Sequence, residues 1–237
     1  MAADALVLAP GLMCDATVWR APLAACGGRL PVSVADYGEL DSLQAMAREL
    51  LRAAPRQFAL AGHSMGGRVG LEVVRLAPER VTHLALLDTG CRALPEGIDG
   101  RRERDVREGF LRLAREQGVA AMARHWVRGM LHRDRLHDTP LVEEIVQMFG
   151  RKPQEIFAAQ IRALLARPEA AELLPAVRVP ALVLTGAQDV NSPPAANSEM
   201  AALIPGATLC VLPRCGHMSM QEQPEAVNAA LEEWLQR

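Results

Sequence analysis

One pentapeptide constrains this chain more than any other feature: Gly62-His63-Ser64-Met65-Gly66. It follows the apolar run Phe58-Ala59-Leu60-Ala61 and precedes a helix-like stretch from Gly67 to Ala77. A strand that turns into a helix within so few residues needs glycine on either side of the central residue, because a Cβ there has no room. The central side chain is then pushed out at the top of a sheet. A serine held in this way is a candidate nucleophile. Its hydroxyl is weak unless a base takes its proton, a third group orients that base and donors hold the oxyanion that forms.

The rest of the chain sets where such partners could stand. Short apolar runs predict strands at Ala5–Ala9, Val32–Asp36, Phe58–Ala61, Val81–Leu87, 179–186 and Ala207–Leu212. Between them lie helix-like stretches. Thr17 to Gly27 has Asp15 as a candidate cap, Ser42 to Ala53 has Ser42 or Asp41, and others run from Pro194 to Leu203 and from Pro224 to Gln236. Strands alternating with helices at this spacing predict a mostly parallel, doubly wound sheet. The strands are continuous apolar runs, as expected where helices cover both faces.

The rhythm breaks after Gly90. Between Cys91 and about Ala170 four helical stretches follow one another with no convincing strand: Arg101–Gln117, Val119–Leu131, Thr139–Phe149 (with Thr139 as cap and Pro140 at the first helical position) and Pro153–Ala166. The expected division is therefore a core of residues 1–90 and 171–237 with a helical cap of residues 91–170.

On a doubly wound sheet, partners for Ser64 must come from loops at the carboxyl ends of strands. Of the six histidines only His217 follows a late strand; His63 lies inside the turn, His83 inside a strand, and His125, His132 and His137 inside the helical insertion. His217 is thus the candidate base. Asp189, past the turn glycine of Gly186-Ala187-Gln188-Asp189, is the preferred orienting acid, and Asp88, at the end of the strand after the serine helix, is its rival. Oxyanion donors should be backbone N–H groups: Met65, at the start of the helix, and Leu12, because Pro10 in Pro10-Gly11-Leu12 has none to give.

The stretches Leu8-Ala9-Pro10-Gly11-Leu12, Ala61-Gly62-His63-Ser64-Met65-Gly66-Gly67, Leu182-Val183-Leu184-Thr185-Gly186-Ala187-Gln188-Asp189 and Cys215-Gly216-His217-Met218 resemble the α/β-hydrolase superfamily. The resemblance spans the core on both sides of the insertion. It implies an α/β-hydrolase fold, a Ser64–Asp189–His217 triad and a four-helix cap over the site. Two departures stand out. The family's usual His-Gly before the oxyanion donor is Pro10-Gly11, and there is no room before the first strand for the two leading strands many members carry, so a shortened sheet of about six strands is expected.

Composition narrows the function classes. A net charge of −2 over 237 residues suggests neither nucleic acid nor an anionic membrane as partner. The first residues lack the basic n-region of a signal peptide, and no apolar stretch has the length of a membrane span. Five cysteines without a Cys-x-x-Cys pair suggest free thiols in a reducing cytoplasm and argue against a zinc site; chemistry by a Ser-His-Asp triad requires no metal and no cofactor. Cys14 and Cys215 lack basic partners and are expected to be structural.

The expected substrate is a small acyl compound. Met13, Trp126 and Met218 are candidate substrate contacts, although the stripe Met122, Trp126, Met130 also suits a seal between cap and core, and the methionines could simply pack beneath the loops. Arg101, Arg102, Arg104 and Arg107, interleaved with Glu103, Asp105 and Glu108, read as a solvated helix face, with an acidic substrate or carrier as the alternative. These features predict a serine esterase or thioesterase. The same residues could also serve C–C bond hydrolysis, lyase, acyl-transfer or perhydrolase chemistry, or a ligand receptor without turnover.

Overall fold

A computed structural model of the chain describes residues 4–237; the first three residues, part of the N-terminal stretch discussed above, lie outside the described residues. Among the described residues six strands form one parallel sheet: β1 Leu6–Ala9, β2 Val32–Val34, β3 Phe58–His63, β4 Val81–Leu87, β5 Ala181–Gly186 and β6 Thr208–Leu212. Their order is β2-β1-β3-β4-β5-β6, every neighbouring pair parallel.

The burial of each strand explains its composition. β1, β3 and β5 are buried at every position, and β4 at all but Thr82. These are the uninterrupted apolar runs. The edge strands β2 and β6 have one covered face, and their exposure alternates along the strand.

Helices α1 Arg20–Cys26, α2 Leu43–Ala53, α3 Met65–Leu76, α8 Pro194–Leu203 and α10 Pro224–Leu235 cover the sheet, with α2 packed on α3 and α1 on α10. Ser42 caps α2 by accepting the Ala45 N–H at 3.1 Å, a contact that stabilises by about 1 kcal/mol. Asp15 accepts the Thr17 N–H, but it opens a 3-10 turn, Ala16–Trp19, and α1 proper begins after it.

The insertion is helical throughout its regular elements: α4 Gly97–Gln117, α5 Val119–Trp126, α6 Thr139–Gly150 and α7 Gln154–Leu165. α4 starts four residues before the expected Arg101, inside the turn around Gly97. α6 is capped by Asp138, which accepts the Leu141 N–H, with Thr139 and Pro140 already helical. A further short helix, α9 Ser219–Glu222, follows His217 in a segment that reads as loop. Among the described residues no helix is long and apolar enough to cross a membrane.

The strand order reverses between β1 and β3, which opens a crevice beyond their carboxyl ends. The loop Pro10–Leu12 enters it from β1 and Ser64 from β3. Register then carries the line along the sheet: His63 pairs with Leu87, Leu87 with Leu184, and Gly186 with Leu212. Strand ends that are level in register bring the loops carrying Ser64, Asp88, Asp189 and His217 to one edge.

Candidate active site

Ser64 has φ 52° and ψ −115°, a backbone conformation that costs a non-glycine residue on the order of 1–3 kcal/mol. The surroundings enforce it. A Cβ on Gly66 would stand 2.0 Å from the Ala9 carbonyl oxygen, and one on Gly62 would stand 2.5 Å from the Gly66 carbonyl oxygen. The Ser64 N–H donates to Leu87 O at 2.9 Å, and Thr89 Oγ1–H donates to Ser64 O at 2.6 Å. The side chain is left at the floor of a cavity of about 780 Å³.

His217 Nε2 lies 2.9 Å from Ser64 Oγ, and its Nδ1 lies 2.8 Å from Asp189 Oδ2. Asp189 Oδ1 accepts the N–H groups of Asn191 and Ser192 at 2.8 and 2.9 Å. Burial opposes the charge on Asp189, but the His217 charge and these hydrogen bonds outweigh it and hold the carboxyl below its ordinary range. Burial likewise opposes a charged His217; Asp189 above all, then Asp88 and Glu222, overcome it and raise the imidazole.

Asp88 does different work. It is fully buried, with Oδ1 accepting the Gly186 N–H at 3.1 Å and Oδ2 accepting Ser219 Oγ–H at 2.5 Å and the Ser219 N–H at 3.3 Å. It therefore anchors the loop that carries His217 without touching the ring of His217. Burial and the nearby charge of Asp189 push its carboxyl upward.

His63 Nε2 donates to His217 O at 2.9 Å, and burial, then His217, drive its pKa down to about 3, so it is neutral. The backbone of His217 is fixed a second time, by its N–H on Met130 O at 2.6 Å. The insertion is thereby tied to the histidine loop. Glu222 adds two more ties, accepting the N–H groups of Gly216 and of His132 at 2.9 and 2.8 Å.

Leu12 and Met65 both line the cavity beside Ser64. The β1 loop presses on the turn: a Cβ on Gly11 would stand 2.7 Å from His63 Nδ1 and 3.3 Å from Ser64 Cβ. Gln160 of α7 grips that loop from the other side, its Oε1 accepting the Met13 N–H at 2.8 Å.

Of the three candidate substrate contacts, Trp126 lines the cavity, whereas Met13 and Met218 are fully buried and do not. Met13 sits at φ 63° with its N–H on Gln160, and Met218 leads into α9, so both fill space beneath the loops. Met122 is buried, and Met130 borders the cavity. Trp126 is ringed by Phe110, Phe149 and Phe157 at centroid distances of 5.6, 5.4 and 5.9 Å, and of these Phe110 and Phe157 reach the cavity wall.

The charged face of α4 is not wholly solvated. Arg101 and Arg104 are exposed, but Glu103 and Arg107 turn inward to meet Arg167. Sequence reading missed Arg68, Arg167 and Glu103 as cavity residues. Arg68 carried a signal, since it lies one helical turn past Ser64 on the same face. Arg167 carried none, because only the fold brings it to the site. Cys14 also borders the cavity, but burial pushes its thiol up to about 12, and burial raises Cys215 further still.

A model of the alpha/beta hydrolase family matches residues 5–230. The chain belongs to that family. A dihydrolipoyllysine-residue acetyltransferase component of an acetoin cleaving system from Pseudomonas putida is 30% identical over 214 residues, 84% of this chain; the chain spans about half of that relative, 51% of its length. A thermophilic esterase from Thermogutta terrifontis superposes with a TM-score of 0.85 at 29% identity, covering 98% of this chain and 89% of the esterase. An enol-lactonase from Burkholderia xenovorans LB400 has the same fold, with a TM-score of 0.84 at 23% identity over 99% of this chain and 92% of its own.

Proposed function

We propose that the protein is a serine hydrolase that cleaves an ester or thioester of a small acyl compound. The observation that carries this reading is the unbroken row Ser64 Oγ, His217 Nε2, His217 Nδ1, Asp189 Oδ2, with both links under 3 Å and the serine open to the cavity. Similarity to the Thermogutta terrifontis esterase supports it.

In this mechanism Ser64 Oγ attacks the acyl carbon while His217 Nε2 takes its proton. Asp189 holds the ring in the tautomer with the proton on Nδ1 and stabilises the imidazolium that forms. The N–H groups of Met65 and Leu12 receive the oxyanion; Met65 stands at the N-terminus of α3, where the helix dipole adds to the effect. His217 then returns the proton to the departing alkoxide or thiolate. Water attacks the acyl-enzyme with His217 again as base, releasing the acid and Ser64.

Residues 91–170 act as the cap of this site and residues 1–90 and 171–237 as its core, with Trp126, Phe110 and Phe157 as the apolar wall against the acyl chain. A panel of p-nitrophenyl esters, thioesters, lactones and β-diketones tests the reading by product identity. Free acid from esters or thioesters, with a serine-bound acyl group trapped by acid quench and located by mass spectrometry, is the expected result. Turnover confined to β-diketones, or an acyl group on another residue, would overturn it.

A further inference from the structure

The cavity is walled by five arginines against two carboxylates, Asp99 and Glu103. Arg102 and Arg128 are exposed, but Arg68 and Arg107 are half-buried and Arg167 is buried; a site built only for a neutral acyl chain gains nothing from that excess, and burying guanidinium groups is costly. Arg107 and Arg167 converge on the single carboxylate of Glu103, and Arg68 stands near enough to feel all three charges. Arg167 pairs with Glu103 through two bonds of 2.7 Å, and Arg107 through Nε at 2.9 Å. Both oxygens of Glu103 are thereby used.

Arg68 is left over. Among the described residues its side chain makes one hydrogen bond, Nη1 to Arg92 O at 2.8 Å, and no carboxylate lies within ion-pair distance of it. Arg167 Nε shares that same carbonyl at 3.3 Å, so two like charges converge on one oxygen. Burial, then the charge of Arg167, push the Arg68 guanidinium down to about 9, which still leaves it cationic at neutral pH. A guanidinium has five donors in a planar fork matched to a carboxylate.

Position gives the length of what would fill the gap. Arg68 N–H bonds Ser64 O at 3.3 Å within the first turn of α3, so the two side chains rise from one helix face about 6 Å apart along its axis. A substrate acyl carbon at Ser64 would hold a group only a few bonds away against Arg68.

We propose that Arg68, backed by Arg107 and Arg167, is an anion subsite that selects esters or lactones carrying a free carboxylate a short chain from the scissile carbonyl. The proposal rests on the serine-hydrolase reading for its catalytic consequence, but binding at the subsite does not depend on turnover.

Four probes test it: monophenyl glutarate against neutral phenyl pentanoate for a carboxylate on the acyl side, and 4-carboxyphenyl butyrate against phenyl butyrate for one on the leaving group. At least one carboxylate probe should be preferred in kcat/KM, chiefly through KM. Arg68→Gln should reduce that preference on the order of 10- to 100-fold, the worth of a charge-assisted hydrogen bond. Arg68→Lys should keep part of it, which separates charge recognition from a structural role, and added salt should weaken it. Calorimetric binding of monophenyl glutarate and 4-carboxyphenyl butyrate to Ser64→Ala protein, with and without Arg68→Gln, gives a readout free of chemistry.

Hydrolysis of all four esters with no preference for either carboxylate probe would overturn the subsite and leave the hydrolase reading standing. Arg68-dependent binding of a carboxylate probe without hydrolysis of any ester would do the reverse. A preference that survives Arg68→Gln unchanged would also overturn the assignment.

Discussion

The two walls of the cavity are built by different physics. The sheet side is fixed by backbone: glycines at 62, 66 and 186 have no space for a Cβ, the nearest atoms standing at 2.5, 2.0 and 2.1 Å. Its polar groups, Asp88, Asp189 and Ser219, are buried and hydrogen-bonded. The insertion side is made of side chains: an aromatic cluster around Trp126, and an arginine–glutamate group on α4 and just past α7. The first kind of wall tolerates almost no change of shape. In the proposed mechanism it presents the reacting groups, while the second, tied to it through Met130 O and Gln160, reads the acyl chain, and Arg68 of α3 adds its charge from the sheet side.

Breaking the sheet side should have the larger effects. Ser64→Ala should lower kcat on the order of a million-fold, measured against the best ester from the substrate panel. Asp189→Asn keeps the shape but favours the wrong tautomer of His217, and should cost on the order of ten-thousand-fold in kcat. Comparable loss from Asp88→Asn and little from Asp189→Asn would reverse the assignment of the acid.

Changes on the insertion side should be smaller and should act on selectivity. Phe110→Ala removes part of the aromatic wall, and should cost about tenfold in kcat/KM for long apolar acyl chains, with less effect on acetyl esters. An equal loss across chain lengths would show that this wall does not read the acyl group.

The smallest effect sharpens the comparison within the sheet side. His217 must be neutral to act as base, so activity should fall as pH drops through its raised pKa. Asp88 stands near His217, but its own carboxyl is pushed up to about 8 and is largely uncharged on the acid limb. Asp88→Asn should therefore leave the acid limb of the kcat/KM profile near its original position while activity at its plateau persists. A limb that moves to clearly lower pH would show that a charged Asp88 acts on His217.

The division between the walls also explains what the sequence discloses. The six strands are legible because central strands buried on both faces must be continuous apolar runs. Ser64, Asp189 and His217 are legible as neighbours because each follows a strand, and strand ends in a parallel sheet come to one edge. The roles of Met13 and Met218 are not legible, since a methionine beside a loop reads the same whether it faces a cavity or fills the space beneath. Arg167 and Glu103 are 64 residues apart, and no local pattern marks them as partners. The interleaved charges of α4 look like a surface because helical spacing gives the face of each residue without saying what packs on that face. Asp88 reads as a rival acid because its strand end is level with the others, and only its contacts with Gly186 and Ser219 show that it holds the loop instead.

Labelling with a fluorophosphonate probe, followed by peptide mapping, tests the central claim most directly. The account predicts one adduct, on Ser64, formed faster as His217 loses its proton and absent in Ser64→Ala. An adduct on any other residue, or equal labelling of Ser64→Ala, would contradict it.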